Sequence, residues 1–192
     1  ELDLARRMCE AAIEHLAGDD LLPALNLLSN ILMKQAELEQ AEQVLSRARA
    51  LCDRLQNKAA RAVVDFQLGR LYRRQEDFER AIVHSSRGLA QFRKMGDRKS
   101  EAYALYDLSL VAEQQADYGR GLDLAHECLD IFTQVDDQFN MMNTLLHLGD
   151  LYRAQQEVVQ AQTCWQRSLA LAESLDNGLY VEGIKGRLER LA

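Results

Sequence analysis

The feature that most constrains this chain is its likeness to itself at a spacing of 40 residues. The stretch from Phe66 to Ala81, FQLGRLYRRQEDFERA, states the pattern most clearly. Its Leu68-Gly69 pair recurs as Leu28-Ser29, Leu108-Ser109 and Leu148-Gly149. Gln75 recurs as Gln35, Gln115 and Gln155, and Ala81 as Ala41, Gly121 and Ala161. A period of this length marks stacked supersecondary units: one unit cannot bury its own apolar face, and neighbours build a shared core.

The unit is helical. The chain has one proline, Pro23, and ten glycines in 192 residues, and is rich in Leu, Ala, Gln, Glu and Arg but poor in Val, Ile and Thr. Helix pairs are expected at about 21–35 and 38–55, 59–75 and 78–95, 99–115 and 118–135, and 139–155 and 158–175. The turns inside each pair (Ala36-Glu37, Glu76-Asp77, Ala116-Asp117, Gln156-Glu157) are short enough to force the helices antiparallel. Asn57, Asp97, Asp137 and Asn177, also 40 apart, can cap the helices that follow them.

One domain is expected, with a leading helix at 1–17, repeats at 21–57, 58–97, 98–137 and 138–177, and a capping helix at 178–192. In the leading helix the apolar stripe reads Ala5, Met8, Cys9, Ala12 and Leu16. Leu28, Leu68, Leu108 and Leu148 should fill one buried layer, each worth roughly 1.5–3 kcal/mol before entropy. Gly69, Gly149, Ser29 and Ser109 should let helix A approach Ala41, Ala81, Gly121 and Ala161 on helix B. Leu38, Phe78, Tyr118 and Val158 should plug the turn. Leu55, Met95, Val135 and Leu175 should line the end of helix B, and Trp165 reads as core.

These columns resemble the tetratricopeptide repeat. The family pattern of Leu-Gly, Tyr three residues on and Ala nine further is met by Leu68-Gly69, Tyr72, Ala81 and by Leu148-Gly149, Tyr152, Ala161. The first and third units place Leu32 and Ala112 at the tyrosine position and serine at the glycine. The usual period is about 34 residues. The longer one here, without the proline that often ends helix B, is similar to repeats of kinesin light chain, of the Leu-Gly-Asn polarity adaptors, and of bacterial signalling ATPases and peptide-sensing regulators. The resemblance implies an all-α, right-handed superhelical solenoid of antiparallel pairs whose A helices line a concave wall where peptide segments lie.

Helical spacing gives the face of each A helix left open by the buried layer. It comprises Asn26, Asn30, Met33 and Lys34 in the first unit; Val63, Phe66, Gln67, Arg70, Arg73 and Arg74 in the second; Tyr103, Tyr106, Asp107, Leu110 and Glu113 in the third; Asn143, His147, Asp150 and Arg153 in the fourth. Arg70, Arg73 and Arg74 form a forked-donor patch suited to a carboxylate or a peptide C-terminus. The competing reading is a solvated face paired with Glu76, Asp77 or acidic residues of the next unit. Phe66, Tyr103 and Tyr106 can anchor an apolar partner side chain or pack between A helices. Asn26, Asn30, Asn143 and Gln67 can hydrogen-bond an extended backbone or serve as polar surface.

The sequence offers no HExxH, GxSxG, phosphate loop or dinucleotide fingerprint, so no enzyme, cofactor or metal is expected. The net charge of −7 speaks against a dedicated nucleic-acid binder. No apolar run reaches the roughly 20 residues of a membrane span. Cys9, Cys52, Cys128 and Cys164 never stand at CxxC spacing, which predicts buried free thiols, a reducing compartment and a cytoplasmic location. The expected function is a protein-interaction module that binds a peptide or partner segment, one bearing an acidic group suiting the arginines. The alternative is a sensory or regulatory repeat domain of a larger signalling or transcription protein, since the chain opens at Glu1 inside a helical pattern. Exposed repeat ends also allow self-association.

Overall fold

A computed structural model describes residues 2–190; the outermost positions of the expected leading and capping helices, 1 and 191–192, lie outside them. The described residues hold α1 (Leu2–His15), a 3-10 turn (Gly18–Asp20), α2 (Leu21–Lys34), α3 (Leu38–Leu55), α4 (Lys58–Arg74), α5 (Phe78–Met95), α6 (Arg98–Gln114), α7 (Tyr118–Gln134), α8 (Gln138–Ala154), α9 (Val158–Ser174) and α10 (Gly178–Glu189). Each of α2–α9 lies within one residue of its expected span. The helices divide between Asp97 and Arg98 into two compact units. In the first, each of α1–α4 packs on the next and α2 also touches α4; in the second, each of α6–α9 packs on the next.

A finer period of 20 residues sits inside the 40. The residues at 36, 56, 76, 96, 116, 136, 156 and 176 all have positive φ, and only Gly96 is glycine. The next residue donates its N–H to a carbonyl five back, as from Asp77 to Tyr72 O at 2.9 Å and from Asp117 to Ala112 O at 2.9 Å. This is a Schellman closure, which satisfies the last carbonyls of a helix. The same residue often caps the following helix: Asn57, Asp77, Asp117 and Asp137 each accept a bond from the N–H three residues on. Asn177 makes no such side-chain bond.

The core follows the columns. Leu28, Leu68, Leu108 and Leu148 are buried, as are Ala41, Ala81, Ala161 and Trp165. A Cβ on Gly69 would fall 2.9 Å from the Ser85 backbone nitrogen, so α4 and α5 meet where only glycine fits. Elsewhere the structure corrects the expected pattern. Met95, Val135, Val158 and Leu175 are 37–47% exposed. Val135 and Leu175 are C-cap residues, Met95 is the last residue of α5 and Val158 the first of α9, all beside turns. In α1 the buried pair is Cys9 and Ile13, while Met8 is 65% exposed and Ala12 is exposed. The stripe is rotated because α2 covers only one edge of this helix.

Candidate functional site

In the first unit the face to be tested is carried by α2 and α4. Arg70 donates from Nη1 to Asn30 Oδ1 on α2 and to Gln67 Oε1 on its own helix, both at 3.0 Å. Its guanidinium lies 5.8 Å from the Phe66 ring centroid, and Phe66 stands edge-to-face with Phe92 at 6.2 Å. Arg74 donates to the Met33 carbonyl. Two of the three arginines thus tie α4 to α2 through neutral acceptors, an arrangement that neither expected reading anticipated. Gln67 is buried, contrary to its expected exposure, because its amide lies under the Arg70 side chain. Arg73 is half-buried.

The asparagines differ. Asn30 donates to the Asn26 carbonyl at 3.1 Å and accepts from Arg70. Asn26 is half-buried, and its side-chain oxygen is buried with no hydrogen-bond partner among the described residues. It lines a cavity of about 290 Å3 with Leu22, Pro23, Ala60, Val63 and Val64.

In the second unit the corresponding helices are α6, α8 and α10. Tyr103 accepts a bond from Asn140 at 3.0 Å and packs edge-on against Phe132. Tyr106 stands edge-on to His147 with ring centroids 5.3 Å apart, and Leu110 is half-buried. His147 is buried, again contrary to expectation: its Nε2 meets Ser109 Oγ at 2.8 Å, and Glu113 lies 3.7 Å from Nδ1. Ser109 spends its single hydroxyl proton on the Gly121 carbonyl at 2.7 Å, so Nε2 is the donor in this pair. A serine beside a histidine is here a structural bond: the hydroxyl is fully buried and gives its proton to the Gly121 carbonyl rather than to the imidazole. Asn143 donates to its own helix at Phe139 O.

Asp150 is held by Arg187 in a two-pronged pair at 2.9 and 3.2 Å, linking α8 to α10. Both line a cavity of about 540 Å3 with Glu113, Arg153, Trp165 and Arg190. Arg187 and Arg190 went unrecognised in the sequence, although they continue the columns of His147 and Asp150 by one more period of 40. A buried network in the first unit was also missed. His84 Nδ1 meets Asp65 Oδ1 at 2.9 Å and Arg61 donates to Asp65 Oδ2 at 3.2 Å. Burial pushes the Asp65 carboxyl up, but the bond to His84 and the charge of Arg61 outweigh it and hold it below its ordinary value. The signal was available: Asp65 interrupts a column otherwise filled by Leu25, Leu105 and Leu145.

The four cysteines are buried free thiols, with Cys128 pushed up to about 12 by burial. Among the described residues no group of His, Cys, Asp or Glu is arranged to hold a metal ion, and no helix is long and apolar enough to cross a membrane.

Residues 20–94 match the family model of the tetratricopeptide repeat. No curated protein matches the sequence. Solved structures share the fold at low identity. The signal transduction ATPase with numerous domains from Pyrococcus horikoshii, which carries a tetratricopeptide repeat sensor, aligns at TM-score 0.77 and 15% identity over 96% of this chain and 28% of that one. The TPR-like repeats of a kinesin light chain-type protein from Podosopora anserina align at TM-score 0.68 and 13% identity over 92% and 88%. A Rap protein complexed with competence and sporulation factor aligns at TM-score 0.66 and 14% identity over 99% and 57%. The 40-residue columns, the family match over residues 20–94 and this shared fold make the chain similar to tetratricopeptide repeat proteins.

Proposed function

We propose that the chain is a non-catalytic protein-interaction module that binds an extended peptide or partner segment along its A helices. The observation that carries this is the Asn26 side-chain oxygen, a buried acceptor left without a donor among the described residues, beside a cavity of about 290 Å3 lined by Leu22, Pro23, Ala60, Val63 and Val64 together with Asp19 and Asn57. Leaving such an acceptor unmade costs about 1–3 kcal/mol, and a backbone N–H from a bound strand would recover it. The adjoining cavity suits a branched aliphatic side chain. Asn30 and Asn143 already bond within their own helices, so Asn26 is the asparagine in position to read a backbone. In the second unit, Arg153 and Arg190 beside the Asp150–Arg187 pair supply donors for a carboxylate.

The test is selection of a randomised peptide library on the full chain, followed by titration of the selected peptides against wild type and Asn26→Ala. The expected result is enrichment of sequences with an aliphatic residue, and a loss of about tenfold in affinity on substitution. Equal affinity for both proteins would remove Asn26 from the site, and a library that yields no binder would remove the function.

A second reading, a sensory repeat domain within a larger regulator, draws support from two of the structural relatives. One carries a tetratricopeptide repeat sensor in an ATPase of which this chain spans 28%, and the other is complexed with competence and sporulation factor. The surrounding reading frame decides it: a nucleotide-binding or DNA-binding neighbour favours regulation, and repeats alone favour scaffolding.

A further inference from the structure

Another cavity, of about 690 Å3, opens in the first unit between the end of α3, the start of α4 and the second half of α5. Its charged lining consists of Lys58, Arg61, Arg87 and Lys94 against Asp53 and Asp65. Both carboxylates are already engaged. Arg61 pairs with the two of them, and the second oxygen of Asp65 is taken by His84. Among the described residues no carboxylate pairs with Lys58, Arg87 or Lys94, and all three are exposed. The cavity therefore carries a surplus of two positive charges on a chain whose net charge is −7.

The repeat supplies an internal control. Eighty residues on, the same columns hold Gln138 for Lys58, Met141 for Arg61, Leu145 for Asp65 and Ser174 for Lys94, while the Arg87 column holds Glu127 forty residues on and Arg167 eighty on. Those neutral residues serve the fold equally well, so packing does not demand the charges. The basic columns instead begin one repeat earlier, where Arg47 and Arg54 stand in the places of Arg87 and Lys94 and line a smaller cavity. Charge is divided accordingly. Residues 1–97 hold 15 Lys and Arg and 15 Asp and Glu, while residues 98–192 hold 8 and 15.

We propose that this cavity binds a phosphate monoester carried on a side chain of a partner protein. A phosphoserine or phosphothreonine bears about −1.5 to −2 at pH 7, which matches the surplus. The guanidinium fork of Arg87 suits two phosphate oxygens, and Lys58 and Lys94 act as point charges on the rest. The lining has only Cys52 and Ala90 as apolar members, so it offers no face for a nucleobase, and its volume leaves room for the residues flanking a phosphorylated side chain. This site shares no residue with the peptide-reading face around Asn26 except Asn57, which lies at the rim of both cavities.

The experiment uses the full chain and an array of random-sequence phosphoserine peptides with their unphosphorylated counterparts, then calorimetry with inorganic phosphate. Phosphorylated members should bind at least about tenfold tighter than their counterparts, and inorganic phosphate about tenfold or more weaker than the peptides. Arg87→Gln and Lys94→Gln should each weaken the peptides about tenfold, with circular dichroism unchanged because both side chains are exposed. Lys58→Gln serves as the independent third variant, and Asn26→Ala should leave phosphopeptide binding intact. The proposal is overturned by absence of any preference for phosphorylated peptides or by undiminished binding in the variants. Inorganic phosphate binding as tightly as the peptides, which would assign a free anion, or an oligonucleotide competing as well as the peptides, which would assign unspecific polyanion binding, overturns it equally.

Discussion

Replacing Gly149 by alanine tests the packing on which the repeat depends. A Cβ at this position would lie 2.4 Å from both Cδ1 and Nε1 of Trp165 and 3.0 Å from its Cε2. Comfortable carbon contacts are about 3.5–4.0 Å, so the overlap exceeds an ångström. Trp165 cannot swing aside: it is 1% exposed and its Nε1 donates to Leu146 O at 3.3 Å. Alanine gains about 1 kcal/mol in helix propensity over glycine, while overpacking costs about 1–3 kcal/mol and occasionally more. An overlap this deep against a rigid ring belongs at or above the top of that range, so a net loss of about 2 kcal/mol is expected. Gly183 in α10 is the control, since a Cβ there would meet nothing within 4 Å. Alanine at Gly183 should stabilise by about 0.5–1 kcal/mol. The assay is urea unfolding followed by far-ultraviolet circular dichroism and by fluorescence, and Trp165 is the chain's one tryptophan, so the emission reports from the contact itself. With a slope of about 2 kcal/mol/M the Gly149→Ala midpoint should fall by about 1 M. Trp165→Leu in the same chain should recover part of the loss. A midpoint that stays or rises in Gly149→Ala, with unshifted emission, would refute the claim that α8 and α9 meet at a glycine-sized gap.

Ala116 holds a left-handed conformation at φ 58°, which costs a non-glycine residue roughly 1–2 kcal/mol; Ala116→Gly should raise stability by about 0.5–1 kcal/mol after its added unfolded-state entropy, and a lower midpoint would contradict the strain. Asp65→Asn should destabilise by about 1–3 kcal/mol at neutral pH, since it weakens a buried network. Because the folded Asp65 carboxyl titrates below its ordinary value of about 3.9, its contribution is complete above that pH and is lost as pH falls through the lowered value. The gap between wild type and Asp65→Asn should therefore be flat above about pH 5 and close in acid, and a gap that widens in acid would reject the assignment.

What could be read in advance follows the physics of columns. Helix ends and the buried leucine layer repeat because every unit faces the same packing demand, so Leu68 and Leu148 predict each other. The finer period of left-handed turn residues escaped notice because only Gly96 among them is glycine; the backbone closure that imposes positive φ leaves little trace in composition. Side chains on the A-helix face were harder still, because their partners lie on a neighbouring repeat. Arg70 bonds to Asn30, 40 residues away in the same column, and Asp150 to Arg187, 37 away. Each pair joins residues that helical spacing within one helix treats as independent and exposed. The same columns, however, show where the fold stops dictating. A position whose residue type changes without loss of the helix pair, as Lys58 becomes Gln138 and Asp65 becomes Leu145, is free of the packing demand. Charge kept at such positions in neighbouring repeats, as at Arg47 and Arg87 or Arg54 and Lys94, needs a reason outside the core, and a partner's anion supplies one.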